Sequence, residues 1–521
     1  MLVRHPGRLR LLIPAALLAH LAAPLGCERA AESDRYNLGG AERQIVGMAD
    51  DYPADLGLRA EEDELRSSMS ARRALAWRVV QKFVEPVALN AAEIDLLEQK
   101  QPDAPVAIPR FLTWYQKDEF RRMFKQLYLS HGKDNRVAKT PLSDALLRGD
   151  PAAGKKGIFE WNANYLAEKG LPEELYTNRV AQLESEADLL GLGGAEAIAY
   201  SPALLMHFYE SYADVLRCLA PVKAGSSASM LDLVGLDDPP PSDENFTLCF
   251  QRELPPDAAI AKAFWSNDVA HPSLPTFDTS AAALSARLAA GDGGWGTTGD
   301  GKANPGPDEI VSLRLVDDST YRLGGLHIVT KELRHWLWIT IWYSPEPDGD
   351  FGADRPDELG DVDPAWDHYK MCVVTAFEEN DPDPRGGYPT AEDLAAARAE
   401  AGLGAEDPPT PELARMEKLV SLGDALEATY RGLGGPTWCS NPYLEEGPFN
   451  ARSNCIGCHQ HAGTPIDPAT VLSDAAQYPH HGTTRVRDNH PSDYIWAFDK
   501  EARLGRVIQA EAKALDQKDA K

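Results

Sequence analysis

The run Asn454-Cys455-Ile456-Gly457-Cys458-His459-Gln460 carries the pattern C-x-x-C-H. Two thiols three positions apart at the start of a helix can add to both vinyl groups along one porphyrin edge. The next residue then aims its imidazole at the iron from the same side. The chemistry to expect is one covalently attached haem c, with Cys455 and Cys458 as the thioether donors and His459 as the proximal iron ligand. Two other chemistries use a C-x-x-C. Zinc needs two further ligands at suitable spacing, and the chain has no second C-x-x-C and no H-x-x-x-H. A thioredoxin-like dithiol wants a βαβ setting, which this Gly- and Pro-rich stretch does not offer.

The other side of the iron is less well specified. No Met follows Met416, so a Met/His pair needs Met371 or Met416 from upstream. His461 is too near the proximal His to fold back around the ring. His480, His481 and His490 sit in a polar stretch and offer a distal imidazole, giving a low-potential bis-His haem. An iron left open on that side is the equal alternative. Trp438, Tyr443 and Phe449 before the motif, and Tyr494, Ile495, Trp496 and Phe498 after it, suit either a dry haem wall or plain core packing.

A second cluster lies in the run from His327 to Trp338, with Lys331, Glu332, His335 and Trp336. Strand alternation puts His327 and Lys331 on one face, aimed at a pocket, although a structural hairpin is the simpler account. The Asp-rich stretches Asp292–Asp308 and Asp348–Asp363 lack the ligand order of a calcium loop. Asp350-Phe351-Gly352 spells DFG with nothing else of a kinase around it. No G-x-S-x-G, H-E-x-x-H or phosphate-binding glycine loop occurs.

The elements that must hold these residues follow from periodicity and composition. The chain has 521 residues, enough for two or three domains. Helical spacing predicts helices over Glu61–Glu85 (Ala74, Trp77, Val80 and Val84 inward), Phe111–Leu129, Leu183–Leu192 and Pro202–Leu219, the last with Ser201 as N-cap. After Pro239-Pro240-Pro241 the texture becomes β-branched and aromatic, in short runs at Ala258–Trp265, Ile310–Val316, Leu326–Thr330, Trp336–Tyr343 and Tyr369–Phe377. Helical pattern returns at Ala391–Ala401 and Pro411–Leu433. The fold class is α+β: a helical N-terminal half, an antiparallel sheet or sandwich in the middle, and a C-terminal haem segment. The expected divisions are 1–26 signal, 27–58 tether, 59–238 helical region, 239–380 β-rich region, 381–433 helical insertion and 434–521 haem-binding segment.

The first 26 residues, with Arg4, Arg8 and Arg10 before a Leu/Ala-rich run, have the layout of a secretory signal. Gly26-Cys27 resembles a lipobox, so a lipid anchor through Cys27 and simple cleavage both stand open. The expected location is the periplasm or outer envelope. Four cysteines remain beyond Cys27 and the motif pair, which suggests two disulfides with Cys218–Cys249 and Cys372–Cys439 the favoured connectivity. A formal net charge of −28 repels nucleic acid and anionic lipid, favours basic or neutral partners, and reads as solubility rather than as a recognition device; the expected partner is a redox protein of the periplasm.

Trp438-Cys439-Ser440-Asn441-Pro442-Tyr443, followed by the C-x-x-C-H run, resembles a family of large, mostly uncharacterised single-haem cytochrome c proteins of myxobacteria and other bacteria. The run from Lys331 to Trp342 looks like the sheet portion of that family. A looser likeness is to cytochrome P460 and its relatives, which are β-rich, end in C-x-x-C-H without a following Met, and finish with an Asp-aromatic strand such as Asp493-Tyr494-Ile495-Trp496. That likeness implies an open iron face, hydroxylamine or nitric oxide chemistry and, in some members, a Lys cross-link to the haem, for which Lys331 is the nearest candidate. The leading expectation is an exported electron carrier. A haem enzyme or gas-binding protein is the alternative, and a binding protein whose haem serves as an electron outlet is the third.

Overall fold

The computed structural model describes residues 50–88, 107–116, 149–150, 155–156, 194–210, 254–268, 271–290, 293–296, 298–314, 320–375, 379–434, 437–445, 449–459, 462 and 494–495. Cys27, Cys218, Cys249, His461, His480, His481, His490, Trp496, Phe498 and the stretch Leu183–Leu192 lie outside these residues.

Two helices, α1 (Glu62–Ser67) and α2 (Met69–Val84), occupy the stretch expected to be a single helix. They part at Ser68, whose extended backbone ends the first. Its Oγ then accepts the Ala71 N–H to cap the second. Trp77, Val80 and Val84 are buried, while Ala74 faces solvent.

The helix expected over Phe111–Leu129 is not what the described part of that stretch forms. A single 3-10 turn spans Arg110–Thr113 and gives way to β1 (Tyr115–Gln116). Pro109 leads into the turn in extended conformation, Trp114 leaves it extended, and Tyr115 then pairs with Tyr200. The rest of the expected helix, residues 117–129, lies outside the described residues.

Strand β2 (Gly194–Tyr200) runs into α3 (Pro202–Glu210), which Ser201 caps by accepting from Leu204 N–H. Next come β3 (Ala259–Asn267), α4 (Ala281–Ala289), β4 (Ser312–Arg314), β5 (Thr320–Thr330), β6 (Leu337–Tyr343) and β7 (Tyr369–Val374). Helices α5 (Ala391–Glu400) and α6 (Pro411–Leu433) follow, within a residue of the expected limits. The strands make one antiparallel seven-stranded sheet in the order β7-β6-β5-β3-β2-β1, with β4 also on β5. The class is α+β, and β1 and β2 bring residues from before the Pro run into the sheet.

Because directly opposed residues share a face, the ladder sorts the core into two rows of sides. Leu326, Ile341 and Met371 face one way, as do Ile328, Ile339 and Val373, and all six are essentially fully buried. Each such side chain contributes about 1.5–3 kcal/mol. The opposite face carries Ile198, Lys262, His327, Thr340 and Cys372 in one row, and Tyr200, Ile260, Val329, Trp338 and Val374 in the next.

Helix α2 is clamped to β7 through a buried charge. The Arg73 guanidinium donates to Asp354 Oδ1 at 2.7 Å, to the Met371 carbonyl at 2.6 Å and to the Phe351 carbonyl at 2.7 Å. Trp77 Nε1 and the Tyr388 hydroxyl also donate to Asp354. Burial alone would raise the Asp354 pKa, but the Arg73 charge and these hydrogen bonds hold it below the ordinary value. A depressed carboxyl stabilises the fold above its unfolded pKa of about 3.9 and loses that contribution as pH falls through the folded pKa. Asp354→Asn, which leaves Arg73 buried without its anion, is expected to cost about 3–5 kcal/mol in denaturant unfolding at pH 7. The gap between variant and parent should shrink as the pH is lowered below about 4.

Two other acidic-loop carboxylates also have cationic partners: Asp300 with Arg287, and Asp348 with Arg355 and Lys418. Asp350 of the DFG run pairs with buried Lys370 at 2.8 Å. No helix among the described residues is long and apolar enough to cross a membrane.

Candidate functional site

The segment after α6 is laid across the Thr340–Trp338 face of the sheet and pinned at successive points. A disulfide joins Cys439 to Cys372 of β7, as expected for that pair. Asn441 Nδ2 donates to Thr340 Oγ1 at 2.6 Å and to the Ile341 carbonyl at 2.9 Å, while its Oδ1 accepts from Tyr443 N–H. The chain then folds back. Cys439 N–H donates to the Ser453 carbonyl, Ser453 Oγ to the Cys439 carbonyl, and Trp438 Nε1 to the Ala451 carbonyl.

Gly325, at a bulge in β5, allows the close approach. A Cβ there would stand 2.7 Å from Asn441 Oδ1 and 2.8 Å from its Nδ2. Gly325→Ala is therefore expected to push Asn441 off Thr340 and cost about 1–3 kcal/mol by overpacking, measured by thermal unfolding.

The fold-back delivers α7 (Cys455–His459), a single turn. Asn454 caps it, its Oδ1 accepting from Gly457 N–H and its Nδ2 donating to the Thr437 carbonyl at 2.7 Å. Cys455, Cys458 and His459 stand at i, i+3 and i+4, so one face of the turn presents two sulfurs and one imidazole. Both thiols are partly buried and neither forms a disulfide.

Burial pushes both thiols up in pKa, and the Glu445 carboxylate adds to the effect. A thiol–disulfide catalyst needs the opposite, an electropositive setting that lowers the pKa. Among the described residues no group of three or more His, Cys, Asp or Glu could hold a metal ion.

His459 Nδ1 lies 2.8 Å from the Tyr494 carbonyl. A carbonyl can only accept, so Nδ1 carries the proton and the lone pair sits on Nε2. Tyr494 reaches this position with φ of +68°, a left-handed backbone that a Tyr rarely adopts. The imidazole ring packs on Trp338 with centroids 4.4 Å apart. Burial depresses the His459 pKa to about 4, the Tyr494 hydrogen bond partly offsetting it, so the ring is neutral at pH 7. The Glu445 carboxylate raises it in turn and the Lys262 ammonium lowers it.

The floor beside the motif is half open. Trp338 is buried, but Lys262 and His327 are only partly covered and Ile198 at the end of the row is 37% exposed. His327 Nε2 faces Glu445 Oε1 at 3.4 Å.

Other expected site residues lie elsewhere. Met371 is on the opposite face of the sheet from His459, and Met416 is on α6, which packs against α4. The Lys331 ammonium donates to the Arg334 carbonyl and lies 5.3 Å from the Trp336 ring centroid, within the β5–β6 loop. Trp438 and Tyr443 serve the core, against Trp342, Phe351, Phe264 and Phe277. Trp338, Glu445 and Lys262 at the motif were not expected from sequence. His327 and Trp338 reach a common face only through the hairpin register, in which His327 opposes Thr340.

No protein-family model matches the chain, and it has no significant match among curated proteins or solved structures.

Proposed function

We propose that the protein is an exported c-type cytochrome that carries one covalent haem and transfers electrons through it. The observation that carries this reading is the arrangement on α7: two thiols and an imidazole on one face, with His459 Nδ1–H held by the Tyr494 carbonyl. A metal-binding His typically donates its other ring nitrogen in this way, which sets the tautomer and raises the basicity of Nε2. Cys455 and Cys458 would hold the ring by thioethers and His459 the iron. The haem would supply a one-electron couple, whose potential the Trp338 and Tyr494 surroundings tune by excluding water. The partly exposed row from Ile198 to His327 lies on the same face of the sheet as Trp338, on which His459 packs.

The acidic surface suits a basic redox partner in the periplasm, with a lipid anchor through Cys27 as the alternative to free diffusion. His480, His481 and His490 remain sequence-level candidates for the sixth ligand. The same half-open floor is the observation that favours a second reading, a haem enzyme or gas-binding protein with an open iron.

The visible spectrum of the reduced protein, before and after carbon monoxide, separates the two. A sharp α-band unmoved by carbon monoxide is expected for the electron carrier. A broad band that shifts promptly would replace that reading with the second.

A further inference from the structure

A buried carboxylate just past the end of β7 holds three parts of the chain at once. The Glu379 side chain is 1% exposed, and both of its oxygens are engaged. Oε1 accepts from the Thr375 N–H and from the Thr375 hydroxyl, each at 2.7 Å. Oε2 accepts from the Thr437 hydroxyl at 2.9 Å and pairs with the equally buried Arg72 guanidinium of α2 at 2.9 Å. A buried anion is tolerated when its charge and its lone pairs are both met, as they are here.

The two oxygens lead towards His459 by separate routes. Thr375 directly follows Val374, the residue of β7 that opposes Trp338 in the ladder. Trp338 is the ring on which the His459 imidazole packs. By the other route, the Thr437 carbonyl accepts from Asn454 Nδ2 at 2.7 Å. Asn454 in turn caps α7, with its Oδ1 taking the Gly457 N–H and its carbonyl the Cys458 N–H. One carboxylate thus ties the sheet edge beside Trp338 to the cap of the motif turn.

We propose that Glu379 is a positioning residue for the haem motif, fixing the spacing between the Trp338 edge of the sheet and the turn that bears Cys455, Cys458 and His459. The inference rests on the haem reading above. Glu379 acts through Thr375 and Thr437, and supports the site without entering its chemistry. Thioether formation needs each sulfur held about 3–3.5 Å from its vinyl carbon, so a loosened cap lowers the yield of attachment.

The test uses the full-length protein and reads two things. One is the rate at which Cys455 and Cys458 alkylate in the haem-free chain under native conditions. The other is the fraction of matured chains that carry the haem mass. Thr437→Val removes the donor to Glu379 and keeps the Arg72 pair. Both thiols are expected to alkylate several-fold faster in it, and the haem-bearing fraction to fall several-fold. Thr437→Ser returns the hydroxyl and should restore both readings. Asp354→Asn breaks the other buried pair between α2 and β7, away from the motif segment. It should lose stability yet keep the parent's alkylation rates and haem fraction, which separates positioning from general weakening of the fold.

Should Thr437→Val fail to fold, Thr437→Ala removes the same donor with less bulk and carries the same expectation. Parent-like rates and haem fraction in these variants would overturn the assignment. So would a Thr437→Ser chain no better than Thr437→Val, or an equal effect of Asp354→Asn. Failure of the underlying haem reading looks different: the parent itself would show no haem mass, and the alkylation rates would still decide the positioning role.

Discussion

Replacing Cys455 and Cys458 by Ala together should abolish covalent haem while leaving the fold in place. The thioether carbons have nowhere else to attach among the described residues, since Cys372 and Cys439 are joined to each other. The turn itself does not depend on the thiols: Asn454 caps it, and the fold-back is held by Ser453, Trp438 and the disulfide. Ala is a better helix former than Cys, so the stability change should stay within about 1 kcal/mol. His459→Ala alone should behave differently. The thioethers survive, so the haem mass is kept, but the proximal nitrogen is gone and the spectrum changes. Intact mass and the reduced spectrum of both variants check this pair of outcomes. A double Cys variant with the parent's covalent haem would sink the assignment of the motif.

The Cys372–Cys439 disulfide should contribute the largest single share of stability in the C-terminal part. Its partners are 67 residues apart, and in the chain-entropy account a loop of that length stabilises by about 4 kcal/mol. Cys372 is in the row with Thr340 and His327, so the bridge holds the segment bearing Asn441 and Glu445 over that row. Cys372→Ala with Cys439→Ala is therefore expected to lower the denaturant unfolding free energy by about that amount. It should also loosen the packing of His459 on Trp338, seen as a shift in the haem spectrum. Reduction of the parent should give the same loss. A change below about 1 kcal/mol in both experiments would show that the pinning by Asn441 and the aromatic core suffices.

Much of the sheet was legible because its strands are β-branched and aromatic where they are central. The runs at Ala258–Trp265, Leu326–Thr330, Trp336–Tyr343 and Tyr369–Phe377 all coincide with strands. Strand β2 was not, because Gly-Ala-Glu-Ala-Ile-Ala-Tyr is mostly small residues and Ala favours helix. Its place in the sheet comes from pairing with β3, a tertiary effect that no local pattern carries. The start of the Phe111 stretch departs from the expected helix in the same way, since Tyr115 pairs with Tyr200.

At the site, the motif residues were visible from spacing alone. Their surroundings were not, because Trp338 meets His459 only through strand register and the fold-back from Cys439. Lys331 shows the converse. Alternation placed it with His327, yet the chain leaves the strand at Thr330 and its ammonium turns to the Arg334 carbonyl.

The most direct test of the central claim is the intact mass of the unmodified chain, matured where haem attachment can occur, taken after denaturation and acidic organic extraction. These steps strip any haem that is only bound through iron. The account predicts a chain heavier by one haem, with neither Cys455 nor Cys458 open to alkylation. A bare chain whose two motif thiols both alkylate would contradict it.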